Sequence, residues 1–94
     1  MTFEEALEQL NENQDLVGKK IKGGTIDEIV IFPSDENSKN IFKDRYFNSH
    51  DALESIEPFK HEQVSICAVI NKHLLAQKIF ITAALDEVYR ELKK

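Results

Sequence analysis

The 94-residue chain has few of the residues that mark several classes of protein: one cysteine, two prolines, three glycines and no tryptophan. A single cysteine excludes an internal disulfide, so the sequence gives no support to secretion and suits a reducing compartment. No apolar run approaches the roughly 20 residues that a membrane-spanning helix needs. The amino terminus also lacks the basic and apolar regions of a signal peptide. We therefore predict a soluble, cytoplasmic protein that does not bind membranes.

Positive charge is missing from the first 15 residues, which contain several acids and no lysine or arginine. The formal net charge of -5 belongs to this segment, because the rest of the chain carries equal numbers of acidic and basic residues. A balanced remainder does not favour binding to a nucleic-acid backbone or to an anionic membrane surface. The length and a hydrophobic content of 41% predict one domain over residues 1–94 with a single core.

Motifs typical of catalysis and of metal binding are absent from the sequence. His50, His61 and His73 do not have the spacing of metal ligands, and Cys67 has no second cysteine beside it, so we expect neither a metal site nor a cofactor. No nucleophile elbow, phosphate-binding loop or dinucleotide fingerprint occurs. Catalysis requires at least two reactive groups held together, usually in a pocket. An enzyme is therefore the less favoured interpretation.

The clearest local pattern is a hairpin within Leu16–Pro33, where two apolar arms flank Gly23–Gly24. A turn at these glycines would pair lysines with carboxylates, for example Lys20 with Asp27. Each such pair stabilises a hairpin by a few tenths to about 1 kcal/mol. The second arm ends in an apolar run over 29–32, which is typical of a strand covered on both faces. We expect this run to form a central strand.

The last third of the chain permits two interpretations. Alternating apolar residues over 64–70 and 75–81 predict a second hairpin with a four-residue loop, in which Ile70 would face Leu75. The rival is a single helix over 72–92, because the apolar residues there also match helical spacing. β-branched residues around 79–82 favour the hairpin. The choice between strand and helix stays open for 72–82.

Three helices are predicted around the hairpins. Thr2 followed by Glu5 forms a capping-box pattern before a helix over 3–11. A short helix over 50–56 would be capped by Asn48 or Ser49, and a carboxyl-terminal helix over 82–94 would be capped by Thr82. The polar segment 34–40 is expected to be an exposed loop. These elements predict an α+β fold: a small antiparallel sheet of about four strands, formed by two hairpins, is packed by amino- and carboxyl-terminal helices, with a short helix between the hairpins.

The first predicted helix carries an acidic face. Most charged helix faces are simply solvated. The functional alternative is a docking face for a basic partner protein. The residues of this face are Glu4, Glu5, Glu8 and Glu12.

The segment 39–50 interleaves aromatic and basic side chains. Packing alone would explain it, because Phe42 and Tyr46 are four residues apart and such a segment can cover one face of a sheet. The functional alternative is a recognition surface, where aromatic rings stack on a planar group while cations hold a phosphate or carboxylate. The candidate binding residues are Lys39, Lys43, Arg45, Tyr46, Phe47 and His50.

These patterns favour a small acidic cytoplasmic module that acts in binding or regulation through protein–protein contacts. The acidic helix, the 39–50 segment or a free sheet edge would make the contacts, and a free edge would also allow copies of the chain to form a homo-oligomer. The alternative function is a domain that binds a nucleotide or another small anionic ligand through the 39–50 segment.

Overall fold

The computed structural model describes residues 1–93, which form an antiparallel sheet of four strands with helices on both sides. In chain order the elements are α1 (Phe3–Glu12), β1 (Lys20–Ile21), β2 (Gly24–Pro33), α2 (Glu36–Ser49), α3 (Ala52–Ile56), β3 (Val64–Leu74), β4 (Gln77–Ala84) and α4 (Leu85–Leu92). The sheet order is β1-β2-β3-β4, so the predicted α+β class is confirmed. Over residues 1–93, no helix is both long enough and apolar enough to cross a membrane.

The first hairpin forms, but its predicted register is wrong. Lys20 pairs with Thr25 and Ile21 pairs with Gly24, so the turn consists of Lys22 and Gly23. The expected pairs between lysines and carboxylates are therefore not formed, and β1 is only two residues long.

The two glycines of this hairpin have different structural roles, which explains the register. Gly23 lies in the turn with a φ of +81°, a region that glycine adopts without steric cost. Gly24 already belongs to β2, and a Cβ added there would lie only 2.8 Å from the backbone oxygen of Asn71. Gly24 thus permits the close approach of β2 to β3 instead of closing the turn.

The second hairpin is β3–β4, so residues 72–82 are not helical and the rival helix over 72–92 is wrong. Leu74 pairs with Gln77 across a two-residue turn, and Ile70 faces Ile81 instead of Leu75. The predicted four-residue loop is therefore wrong. The predicted and observed registers nevertheless direct the same side chains to the same face, because they differ by an even number of residues.

The first helix agrees with its prediction and extends one residue further. The Thr2 N–H donates to Glu5 Oε1 (3.0 Å) and the Glu5 N–H donates to Thr2 Oγ1 (3.2 Å), which completes the predicted capping box. The Val64 N–H donates to the Met1 carbonyl (2.9 Å), so the start of the chain is bound to the start of β3.

The segment between the hairpins is more helical than the sequence patterns predict. The expected loop over 34–40 is wrong, because the Asp35 carboxylate accepts a hydrogen bond from the Ser38 N–H (3.0 Å) and starts the 14-residue α2. Asp51 caps α3 in place of Asn48 or Ser49.

The carboxyl-terminal helix also begins later than predicted. Helix α4 begins at Leu85 without a side-chain cap, and Thr82 lies inside β4. Lys94, the last residue of the predicted helix, lies outside the described residues.

The helices divide between the two faces of the sheet. On the α2 side, the Phe42 ring lies 4.8 Å from that of Phe32, and the Phe47 ring lies 6.1 Å from that of Phe80, measured between ring centroids. On the α4 side, the buried Val88 is close to the inner residues of β3 and β4. The Tyr89 hydroxyl donates to Asn13 Oδ1, which joins α4 to the end of α1. The core therefore consists of β2 and β3 between two helical layers.

The turn between β3 and β4 generates a stability prediction. Leu75 and Ala76 have φ values of +53° and +65°, and this left-handed conformation is costly for residues other than glycine, asparagine and aspartate. Leu75 is 98% exposed and makes no compensating packing. Replacing the pair with Asn-Gly (Leu75→Asn with Ala76→Gly) should raise the free energy of unfolding by about 1–2 kcal/mol in urea titrations. The matched control, Leu75→Gln with Ala76→Ser, should give no such gain; an equal gain would attribute the effect to lost surface hydrophobicity.

Candidate functional site

Strand β4 forms one edge of the sheet, because β3 is its neighbour on one side and the described chain supplies no strand on the other. The two-residue turn makes Leu74 and Gln77 a hydrogen-bonded pair, and such pairs alternate along an antiparallel ladder. The N–H and C=O groups of Lys78, Phe80 and Thr82 therefore point away from β3. This edge has backbone groups free to bind another extended chain.

The side chains of β4 leave this edge unusually apolar. Ile79 is 38% exposed and Ile81 is 36% exposed, and Leu74 beside them on β3 is 55% exposed. Proteins usually protect an edge strand with charges, proline or a bulge. Strand β4 has one charge, Lys78, and neither a proline nor a bulge. We call the free side of β4 together with Leu74, Ile79 and Ile81 the edge surface.

A cavity of about 490 Å³ opens on the α4 side, next to the edge surface. Its apolar lining comes from Ile21 and from residues of the sheet and α4: Ile70, Ile81, Ala83 and Val88. Its polar lining has charges of both signs: Lys22, Lys72, Glu87, Arg90 and Glu91. Ile81 belongs to both the cavity and the edge surface, so the two are continuous.

The predicted binding residues of the 39–50 segment all lie on or directly after α2, but they do not converge. Tyr46 is only 2% exposed and packs between Phe42 and Phe47, at 5.8 and 4.9 Å between ring centroids. It therefore belongs to the core and has no open ring face. The Arg45 guanidinium lies 5.9 Å from the ring centroid of Phe59, on the flank of α2 that faces α3.

The other candidates lie on the flank of α2 that faces β4. The rings of Phe47 and His50 lie 6.1 and 5.5 Å from that of Phe80. Lys39 and Lys43 precede Phe47 by eight and four residues on α2, so helical spacing puts them on the flank that Phe47 presents to Phe80 of β4. Burial raises the pKa of the Cys67 thiol; the positive charges of the two lysines partly oppose this effect, and the negative charge of Glu87 adds to it.

The acidic face of α1 is exposed to solvent, as its pattern predicts. All four of its carboxylates belong to exposed residues: Glu4, Glu5, Glu8 and Glu12. Glu5 has a further local role, because its hydrogen bonds with Thr2 lower its pKa and hold the capping box. The face of α1 that contains Ala6 packs into the core.

A buried polar site on the α2 side was not predicted. Glu28 Oε1 and Asn71 Oδ1 are both buried without a hydrogen-bond donor. Burial raises the pKa of the Glu28 carboxyl, the charge of Asp27 adds to the increase, and His50 opposes it. Glu28 directly precedes the continuously buried residues 29–33 of β2, and this position beside an apolar run was the only signal in the sequence. Within residues 1–93, no cluster of three or more His, Cys, Asp or Glu is arranged to hold a metal ion.

No protein family matches the sequence, and neither a curated protein nor a solved structure shows significant similarity to the chain. The function must therefore be argued from the geometry.

The buried Glu28 carboxyl generates a prediction about pH. Its folded-state pKa lies above its ordinary value of 4.5, so stability falls as the pH rises from that value through the folded-state pKa. Glu28→Gln removes the buried charge, and we expect it to raise the urea midpoint at pH 7 and to change it little at pH 4. An exposed carboxylate on α1 provides a control, Glu8→Gln, whose effect should be small at both pH values. An equal effect of Glu28→Gln at pH 4 and pH 7 would exclude charge burial as the cause.

Proposed function

We propose that this protein is a small binding or regulatory module that acts through protein–protein contacts, and that the edge surface is its binding site. The observation that carries this proposal is a free edge strand of eight residues with exposed isoleucines on one face. Unpaired backbone groups and exposed apolar side chains together favour association with another protein.

The energetics of the edge surface support a protein partner. Burying apolar area contributes about 25 cal/mol per Å², and Leu74, Ile79 and Ile81 offer such area in one place. A partner that adds a strand would also satisfy the outward backbone groups of β4, which a small ligand cannot do along the whole strand.

The alternative, a nucleotide or small-ligand domain built on the 39–50 segment, has less support. Stacking needs an open ring face, whereas Tyr46 lies in the core and Arg45 lies on the opposite flank of α2 from Lys39. The residues expected to surround one ligand therefore lie in three separate places: the core, the flank of α2 that faces α3 and the flank that faces β4.

The proposed location is the cytoplasm, where the protein would meet its partner. The support is Cys67, a buried free thiol. A reducing compartment keeps such thiols free of disulfides.

A pair of substitutions tests the edge surface. Ile79→Ser with Ile81→Ser should leave the fold intact, because both side chains are more than one-third exposed. Retention of partner proteins on beads that carry the variant should fall at least tenfold, since losing two interface isoleucines costs about 1–2 kcal/mol each. The measurement is quantitative mass spectrometry of proteins retained from an extract of the cells that express this protein.

The matched control uses another exposed isoleucine on a different surface. Ile41 of α2 is 49% exposed, and Ile41→Ser should retain the same proteins as the unmodified chain. If the double variant retains them in equal amounts, the edge surface is not the binding site.

A further inference from the structure

We propose that β4 accepts an extended segment of a partner protein as a fifth strand, and that this segment is apolar on one face and acidic on the other. This inference rests on the proposed binding function and names both the mode of binding and the chemistry of the partner. It follows from three features of the edge: the free backbone groups, the apolar α4 side and the basic α2 side.

The backbone of β4 supplies the pairing. Lys78, Phe80 and Thr82 direct their N–H and C=O groups away from β3, as the register of the β3–β4 hairpin requires. These three residues, which occupy every second position of the strand, can form a ladder with about five to seven residues of an added strand. The pairing does not depend on the partner's sequence, so its specificity must come from side chains.

On the α4 side, the added strand would meet Ile79 and Ile81. These side chains lie on the same face as Ile70 and Ala83, which continue into the cavity. Cross-strand pairs between β-branched or aromatic side chains contribute to sheet stability. Every second residue of the partner segment should therefore be apolar.

On the α2 side, the added strand would meet positive charge. Lys78 lies near the start of β4, and Lys39 and Lys43 lie on the flank of α2 that contacts β4 through the Phe47 and Phe80 rings. From Gln63 to Leu85 the sequence contains no aspartate or glutamate. The remaining residues of the partner segment should therefore include acids, which would pair with these lysines and speed association.

Three carboxylates lie near this edge, but none belongs to β3 or β4. Asp86 and Glu87 lie in the first turn of α4, after the end of β4, and Glu87 lines the cavity on the α4 side. Glu28 lies two strands away, on β2. The negative charge of α1 belongs to a segment that does not line the edge.

A second copy of the chain fits this edge less well than an acidic segment. Antiparallel pairing of two β4 strands about Phe80 would place Lys78 opposite Thr82 of the other copy, beside that copy's Lys39 and Lys43. Like charges at an interface cost free energy, and β4 itself supplies no acid to compensate.

The test uses a fluorescein-labelled synthetic peptide of alternating glutamate and valine, seven residues long, and measures fluorescence anisotropy with the full chain. We expect saturable binding that weakens as salt is added. A peptide with lysine in place of each glutamate should bind at least tenfold more weakly. Equal binding of both peptides would overturn the acidic preference.

The pairing is tested by Thr82→Pro, which removes an outward N–H that takes no part in the β3–β4 ladder. Proline is tolerated at such positions of edge strands, and Thr82→Val is the matched control. Thr82→Pro should weaken peptide binding at least tenfold, and the control should not. Lys78→Pro provides a second block at another outward position if Thr82→Pro unfolds, and Lys78→Ala is its control for the lost charge. Undiminished binding by a folded proline variant would overturn strand addition.

The charges are tested by Lys39→Glu with Lys43→Glu, compared with Lys19→Glu and Lys20→Glu near the opposite edge. Both double variants change the net charge equally. Only the first should weaken binding of the glutamate peptide, by about tenfold or more. Equal weakening by both would show that net charge alone attracts the peptide, which would overturn the proposed role of the two α2 lysines.

Two further outcomes separate this inference from the proposed function. If light scattering shows a dimer that Thr82→Pro converts to a monomer, and the peptide does not bind, the occupant is a second copy and the acidic-segment proposal is wrong. If retention of partner proteins depends on Ile79 and Ile81 but not on the outward N–H of residue 82, the proposed binding function is supported and strand addition is wrong.

Discussion

The pairing of β2 with β3 is the constraint on which the rest of the structure depends. The two strands are in register from Thr25 to Pro33, interrupted by one irregularity between Ile26 and Glu28. Most of their side chains are buried on both faces, so helices must cover both sides of the pair. Helix α2 covers one side through its aromatic residues, and α1 and α4 cover the other. The positions of these three helices follow from this requirement.

The same arrangement explains why β4 is left free. A helical layer stabilises the fold only where it covers apolar residues, and the central pair supplies most of them. Strand β4 packs against Phe47 through Phe80 on the α2 side, but Ile79 and Ile81 remain partly exposed on the other. The short α4 does not cover them, and the cavity lies where a longer cover would pack. The exposed edge surface is therefore a consequence of how the core is completed.

Acidic and basic residues are distributed unevenly between the elements of the fold. Acids without nearby bases lie on the exposed face of α1, whereas the β3–β4 hairpin has no acid at all. The chain therefore has a net charge of -5, although the β4 edge of the sheet is locally basic. Overall charge would predict repulsion of an acidic partner, but local complementarity determines what binds at contact distance, because salt screens the more distant charges.

Some features of the fold follow from local sequence patterns, whereas others do not. Thr2 and Glu5 determine the start of α1 by themselves, because a capping box is a contact between neighbours in the chain. The alternation of apolar residues predicted the first hairpin and favoured the second over a helix, and it assigned the side chains of both to the correct faces. It did not determine their registers, because shifting a strand by two residues preserves every face. The approach of Gly24 to Asn71 favours the observed register of the first hairpin, whereas the costly left-handed turn at Leu75 and Ala76 opposes that of the second, so contacts elsewhere must stabilise the second register.

The site depended on tertiary structure for the same reason. The sequence pattern made the aromatic and basic residues of 39–50 equal candidates for one binding surface. Helix α2 instead directs Tyr46 into the core, Arg45 towards α3 and Lys39 towards β4. Helix α2, which separates these residues, is capped by Asp35, and an aspartate before a polar segment is equally typical of a loop. The sequence by itself determined the α+β class, the first hairpin and the acidic first helix, because these depend on local pattern. Only the tertiary structure decided which strand has no neighbour and which cations lie beside it, because both depend on contacts between distant residues.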